Sequence, residues 1–293
     1  MDRRNFLKAA TVAFTATLPS KNLNATEKFK LNEDRVGVLV DTTVCIGCRN
    51  CEWVCKETHK LPTKPLDNYS NRKVFENKRR PDNKALTVVN QFDNPKEAHL
   101  PTDVKVQCMH CDEPACVSAC IVHAITKHKE GPVTWDSTMC IGCRYCMVAC
   151  PFQIPAFEYD KALQPKIMKC DFCIDRQKEG KLPACVDICP TEALTFGKRK
   201  DLIEIARERI KRKPDRYVNH ILGEHEVGGT SWLYLAGQEF SKLDFPKLGS
   251  DPAPGVTESI QHGIFAYFIP PIALYALLGG IMWINKNKSG EAE

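Results

Sequence analysis

The stretch Cys140–Pro151 reads CIGCRYCMVACP and sets four cysteines at gaps of two, two and three residues ahead of a proline. Two intervening residues let a backbone curl so that successive sulfurs face one centre, as a cubic iron–sulfur cluster requires of a single loop. The fourth cysteine opens a helix and points away, and in two-cluster proteins it ligates the other cluster. A chain with one such loop is therefore expected to carry another. All 16 cysteines here fall in quartets: Cys45, Cys48, Cys51, Cys55; Cys108, Cys111, Cys116, Cys120; Cys140, Cys143, Cys146, Cys150; and Cys170, Cys173, Cys185, Cys189. The order is an internal repeat of four units. The second quartet widens its middle gap to four residues and has Ile121 where a proline is usual, and the fourth divides its pairs by Ile174 to Ala184.

Three other chemistries use cysteine pairs. Zinc favours two CxxC pairs per ion, sometimes with histidine, and has no need of three cysteines in close succession. Disulfides give no reason for the repeated short gaps, and a thioredoxin-type redox pair needs one motif, not four. His110 lies inside a quartet that already supplies four thiols, and reads as a loop residue. The crossed rule puts Cys108, Cys111, Cys116 and Cys150 on one cluster and Cys140, Cys143, Cys146 and Cys120 on its neighbour. The outer quartets then pair, with Cys45, Cys48, Cys51 and Cys189 on one cluster and Cys170, Cys173, Cys185 and Cys55 on the other. The expectation is four 4Fe-4S clusters, ligated by thiolate throughout, with no open metal position. No Ser-His-Asp set, nucleotide loop or acid–base pair stands out, so no catalytic residue is expected. Gly47 and Gly142 precede cysteines where a small residue lets backbone N–H groups approach sulfur. Arg49, Lys56, Arg144 and Lys169 are placed to offset negative charge, or else face water.

An apolar content of 43% with 26% charge is ordinary for a protein with a real core, so disorder is not the default reading. Of the formal charge of +5, Arg3, Arg4, Lys8 and Lys21 against Asp2 supply +3, which leaves +2 beyond residue 25. Nothing in that balance calls for nucleic acid, and Lys78-Arg79-Arg80 reads as a solvated loop. The start, MDRRNFLKAATVAFTATLPS, is read as a signal peptide over residues 1–25, with paired arginines of the twin-arginine kind. That route carries folded proteins across the bacterial inner membrane, which suits thiols that would oxidise if exported unfolded. Residues 263–284 are free of charge and long enough to cross a bilayer, and Lys286 and Lys288 follow. They predict a transmembrane helix with a cytoplasmic tail over 285–293, the bulk of the protein lying on the periplasmic side of the cytoplasmic membrane in a single-pass arrangement.

Between these ends, Val36–Val40, Leu86–Phe92, Pro132–Trp135, Ala193–Phe196 and Ser231–Leu235 read as short strands. Asp201–Lys213 reads as a surface helix with Leu202, Ile205, Ala206 and Ile210 on one face and Asp201 as N-cap. The predicted organisation is a four-cluster ferredoxin-like domain over 26–200 with a loop-rich insertion at 56–104, then a peripheral helix and strand segment over 201–262. The fold class is α+β: tandem bacterial-ferredoxin-like cluster domains with inserted loops, plus one C-terminal transmembrane helix.

The chain resembles the four-cluster iron–sulfur electron-transfer subunits of respiratory oxidoreductases over nearly its whole length. RRNFLKAA at the start, QCMHCDEPACVSAC and GCRYCMVACP, GEHEVGGT at Gly223–Thr230 and LDFPKL at Leu243–Leu248 are most similar to the HybA type, found with hydrogenase 2, a membrane-bound uptake NiFe hydrogenase. The resemblance implies a non-catalytic subunit passing electrons from the small subunit of a periplasmic NiFe hydrogenase to an integral membrane subunit that reacts with quinone, with membrane lipid as a further contact. The equivalent subunit of a formate dehydrogenase or other molybdopterin enzyme is the alternative. Such subunits often travel on their catalytic partner's signal, so Arg3-Arg4 favours hydrogenase. A non-redox zinc or structural cysteine protein is a more distant reading.

Overall fold

Strand β1 (Val36–Asp41) is the spine of the principal sheet, pairing antiparallel with β8 (Leu194–Lys198) and parallel with β9 (Trp232–Leu235). In this computed structural model residues 31–97, 99–161, 165–255 and 274–282 are described. Strand alternation sends Val38, Val40, Trp232 and Tyr234 into a core with Phe172, and Leu39, Leu233 and Leu235 into a second core under helix α6 (Arg199–Arg212). Both faces of the sheet are thus covered, which is why β9 reads WLYL without a polar position.

Helix α6 starts two residues before the expected N-cap. Lys198 occupies that position, and Asp201 lies in the first turn, where its charge still favours the helix dipole. Leu202 and Ala206 are buried against β1 and β9 as the pattern predicts. Ile205 faces outward, and Ile203 packs against the core in its stead.

Three small antiparallel ribbons complete the sheets: β2 (Val88–Phe92) with β3 (Thr102–Val106), β4 (Ile125–Lys127) with β5 (Val133–Trp135), and β6 (Ala156–Phe157) with β7 (Ile167–Met168). The helices beside the cysteine loops are short: α1 (Asn50–Thr58), α2 (Ala115–Ser118), α3 (Tyr145–Ala149), α4 (Ile174–Lys178) and α5 (Ala184–Asp187). Such helices are not stable alone, and they form here through what they pack on. Helix α1 packs on α5 beside the β1–β8 pair, and α2 packs on α3 beside the β4–β5 pair. This two-fold repetition makes the first and fourth quartets neighbours, and likewise the second and third. The stretch 56–104 contributes β2 and the start of β3, and it is tied to α1 by Glu52, whose buried carboxylate accepts the Val89 N–H at 2.6 Å.

One expectation is overturned. Among the described residues no helix is long and apolar enough to cross a membrane. The C-terminal transmembrane helix expected over 263–284 is thus contradicted; of that stretch residues 274–282 are described, and they are helical. An uncharged run of that length permits a spanning helix without requiring one. The signal over 1–25 and the tail over 285–293 lie outside the described residues.

Candidate metal centres

Each quartet begins on a loop whose residue just before the second cysteine has a positive φ: Gly47 (63°), His110 (50°), Gly142 (68°) and Phe172 (64°). This turn is what brings two cysteines separated by two residues to face one centre. It also aims backbone N–H groups at sulfur: Phe172 N–H donates to Cys170 Sγ at 3.3 Å, and Gly47 N–H acts on Cys45 in the same sense. Glycine carries the conformation at two of the four sites, whereas His110 and Phe172 hold it against the steric cost of a side chain.

All sixteen cysteines are free thiols. Cys143 is exposed, and the others are buried or half-buried. The thiols act on one another's ionisation in sets. Cys45 feels Cys48 and Cys189, and Cys51 feels Cys45. Cys170 feels Cys173 and Cys55, which also reach Cys185. Cys111 feels Cys108, Cys116 and Cys150. Cys146 feels Cys143, Cys140 and Cys120. Two contacts link sets: Cys51 with Cys185, and Cys116 with Cys146. Cys45, Cys48, Cys51 and Cys189 also line one small, largely apolar cavity.

Burial pushes Cys45, Cys146 and Cys173 up to about 12, and Cys51, Cys111 and Cys170 well above the usual thiol range. Neighbouring thiols add to the effect, so thiolates packed this closely need a positive centre among them. The donor set fits 4Fe-4S groups on that chemistry: sixteen soft sulfur ligands gathered in fours, with buried members in each set that resist ionisation unless metal is bound. A second observation agrees. Among the described residues the buried side-chain nitrogens without a hydrogen-bond partner are Arg79 Nε, His110 Nε2, Trp135 Nε1 and Trp232 Nε1. The last three are ring donors packed with the cysteines: Trp135 against the core containing Cys116 and Cys146, and Trp232 in that containing Cys108 and Cys185.

Buried cations surround the thiols. Lys105 Nζ bonds Gln107 at 2.7 Å, lies 4.4 Å from the Trp232 ring centre, and acts on Cys185, Cys51 and Cys170. Lys169 Nζ donates to the Cys170 carbonyl at 3.0 Å and to the Val133 carbonyl. Burial draws Lys127 down to about 8 against the pull of Asp112, and its Nζ donates to the Gly131 carbonyl at 2.6 Å. Of the four cations singled out in the sequence, Lys169 and Arg49 are buried. Arg49 pairs with Glu52, while Arg144 lies over Phe157 and Tyr159. Lys105 and Lys127 escape sequence reasoning, because single lysines in short strands look like solvent-facing positions.

His59 is a further addition. It bonds Asp171 at 2.9 Å and the Cys55 carbonyl at 2.8 Å. Burial works against its charge, but Asp171 and Cys55 prevail and hold it up to about 11. His59, Asp171 and Cys173 present ligand atoms within 4.8 Å of one another, yet the His59 ring is already engaged on both nitrogens. Asp112 organises the second loop, taking Arg35 at 3.0 and 2.6 Å with Lys127 and Arg199 at 3.8 Å. Gly229, at φ 100°, runs so close that a Cβ there would meet the Asp112 carboxylate and Arg199 at 2.9 Å, which accounts for the Gly-Gly-Thr turn.

These centres define a class, and residues 103–199 match the model of the 4Fe-4S dicluster domain. The chain is 50% identical over 294 residues to a protein of Nitratidesulfovibrio vulgaris, covering 98% of this chain and 78% of that one. It is 33% identical over 321 residues to the hydrogenase-2 operon protein HybA of Escherichia coli O157:H7, covering 99% and 97%. With the iron–sulfur subunit of the nitrate-inducible formate dehydrogenase of Escherichia coli K12 it shares 31% over 232 residues, 78% and 77% of the two chains. The chain belongs to the family of iron–sulfur electron-transfer subunits that includes HybA and the formate dehydrogenase iron–sulfur subunits.

Proposed function

We propose that this chain carries electrons between a periplasmic NiFe hydrogenase and a quinone-reactive membrane subunit, holding four 4Fe-4S clusters. The observation that carries the reading is the gathering of all sixteen free thiols into linked sets of four. Cys45, Cys48, Cys51 and Cys189 would hold one cluster, Cys170, Cys173, Cys185 and Cys55 the next, Cys108, Cys111, Cys116 and Cys150 the third, and Cys140, Cys143, Cys146 and Cys120 the fourth. Groups bound there supply reversible one-electron transfer. The protein's own part is to keep the thiolates dry, to balance their charge with Lys105, Lys127 and Lys169, and to present an end to a partner. That end is the third loop and its helix, where Cys143 is exposed and Met139, Ile141 and Val148 are exposed by 50%, 61% and 82%, with Ile121 of the second loop exposed by 59%. Apolar side chains around an exposed ligand suit a protein partner better than water.

Hydrogenase is favoured over formate dehydrogenase because the similarity to HybA spans 97% of that protein, against 77% for the formate dehydrogenase subunit. The twin-arginine signal read in residues 1–25 supports the same choice and a periplasmic location. The equivalent role beside a molybdopterin enzyme is the second reading, favoured by the 31% identity to a formate dehydrogenase subunit. Metal analysis of the detergent-solubilised complex pulled down with this chain separates the two. Nickel in near-stoichiometric amount is the expected result, whereas molybdenum or tungsten without nickel rejects the hydrogenase assignment.

A further inference from the structure

His110 is fully buried, at 0% exposure. Its Nδ1 accepts the Val133 N–H at 2.8 Å, so the proton of the ring sits on Nε2. That Nε2–H is buried and meets no protein acceptor. A buried donor left unsatisfied forfeits its hydration without return and calls for an acceptor that the polypeptide does not itself supply. Backbone strain is added to that cost, because His110 and Phe172 adopt φ of 50° and 64° at the position where the other two loops use glycine. These two residues stack on each other, with ring centres 4.9 Å apart and planes inclined by 28°. One belongs to the second quartet's loop and the other to the fourth's, so the stack joins the two halves of the repeat. Trp232, itself with an unpartnered Nε1, packs on Phe172 at 5.6 Å.

We propose that His110 donates its Nε2–H to a sulfur of the 4Fe-4S group flanking the His110–Phe172 stack, raising the potential of that one group at the junction between the two halves. The inference rests on the cluster reading above. A donor to sulfur stabilises the more negative, reduced state, so its effect is a positive shift in potential. The Phe172 ring holds the imidazole in plane, and the Val133 N–H holds its tautomer. Sulfur is the acceptor that this neighbourhood offers once metal is bound, since His110 lies between Cys108 and Cys111 on one side and stacks on the Cys170–Cys173 loop on the other.

The test uses the full chain, prepared anaerobically, with His110→Phe removing the donor and keeping the stack, and His110→Gln restoring an N–H without it. Potentiometric titration followed by electron paramagnetic resonance is expected to show one midpoint moved to more negative potential in His110→Phe, partly recovered in His110→Gln, with the other midpoints unchanged. Unchanged midpoints in a His110→Phe chain of full iron content overturn the proposal and leave the cluster reading intact. If the variants lose metal, wild-type chain labelled with 15N-histidine decides. A nitrogen coupling to a reduced cluster in the pulsed spectrum supports the donor, and its absence from every cluster signal rejects it. Wild-type chain without iron or sulfide fails at the cluster reading itself.

Discussion

Stripping iron from the chain under reducing, anaerobic conditions is expected to abolish its cooperative fold. Burial resists the ionisation of Cys45, Cys51, Cys111, Cys116, Cys146, Cys150, Cys170, Cys173 and Cys185, and no disulfide stands in for metal. The helices carrying them are four to nine residues long, and the ribbons beside them two to five. Elements of that length are unstable alone. The free energy of metal binding is therefore folding free energy. Circular dichroism of the chelated chain should show loss of the near-ultraviolet signal and of a sharp thermal transition. Retention of the metal-loaded melting temperature to within a few degrees would mean that packing alone suffices.

The second large effect lies at Glu52, which is 1% exposed. Its carboxylate takes Arg79 at 2.5 and 3.1 Å and Arg49 at 3.1 Å, besides the Val89 N–H. Burial works to raise its pKa, but Arg79 and then Arg49 more than offset it, so the group ends below the usual glutamate range. Removing one member of a buried pair leaves the other charges without a counter-ion, at a cost of roughly 3–5 kcal/mol. Glu52→Ala should lose stability of that order, read as a clearly lower denaturant midpoint than wild type when both metal-loaded chains are unfolded anaerobically at pH 7, and an unchanged midpoint refutes the clamp. Because the folded pKa is depressed, the contribution of Glu52 is present above its unfolded value near 4.5 and fades as pH falls through the folded one. The wild type should lose stability on acidification through this range, and Glu52→Gln should lose less.

The cysteine loops were legible because their geometry is local: two residues between cysteines and a glycine or its substitute before the second. Strands β1, β8 and β9 followed from short apolar runs for the same reason. Strand β3 did not, since Thr102-Asp103-Val104-Lys105-Val106 alternates like a strand with one wet face, while both faces are covered and Lys105 is turned toward the thiols. His110 was read as an ordinary loop residue, and nothing in its neighbours announces that the loop is central. The uncharged stretch 263–284 misled in the opposite way: a run free of charge permits a membrane-spanning helix but does not require one, and no described helix is long and apolar enough to cross a membrane. Pattern reports what a segment's neighbours in sequence require. The contents of the space between quartets come from residues far apart in sequence, as the stacked His110 and Phe172 are.

The central claim is that these thiols hold four cubic clusters, and quantifying iron and acid-labile sulfide in anaerobically purified full-length chain tests it most directly. About sixteen of each per chain are predicted. Zinc in place of iron with no sulfide, or iron and sulfide at half that amount or less in homogeneous protein, would contradict it.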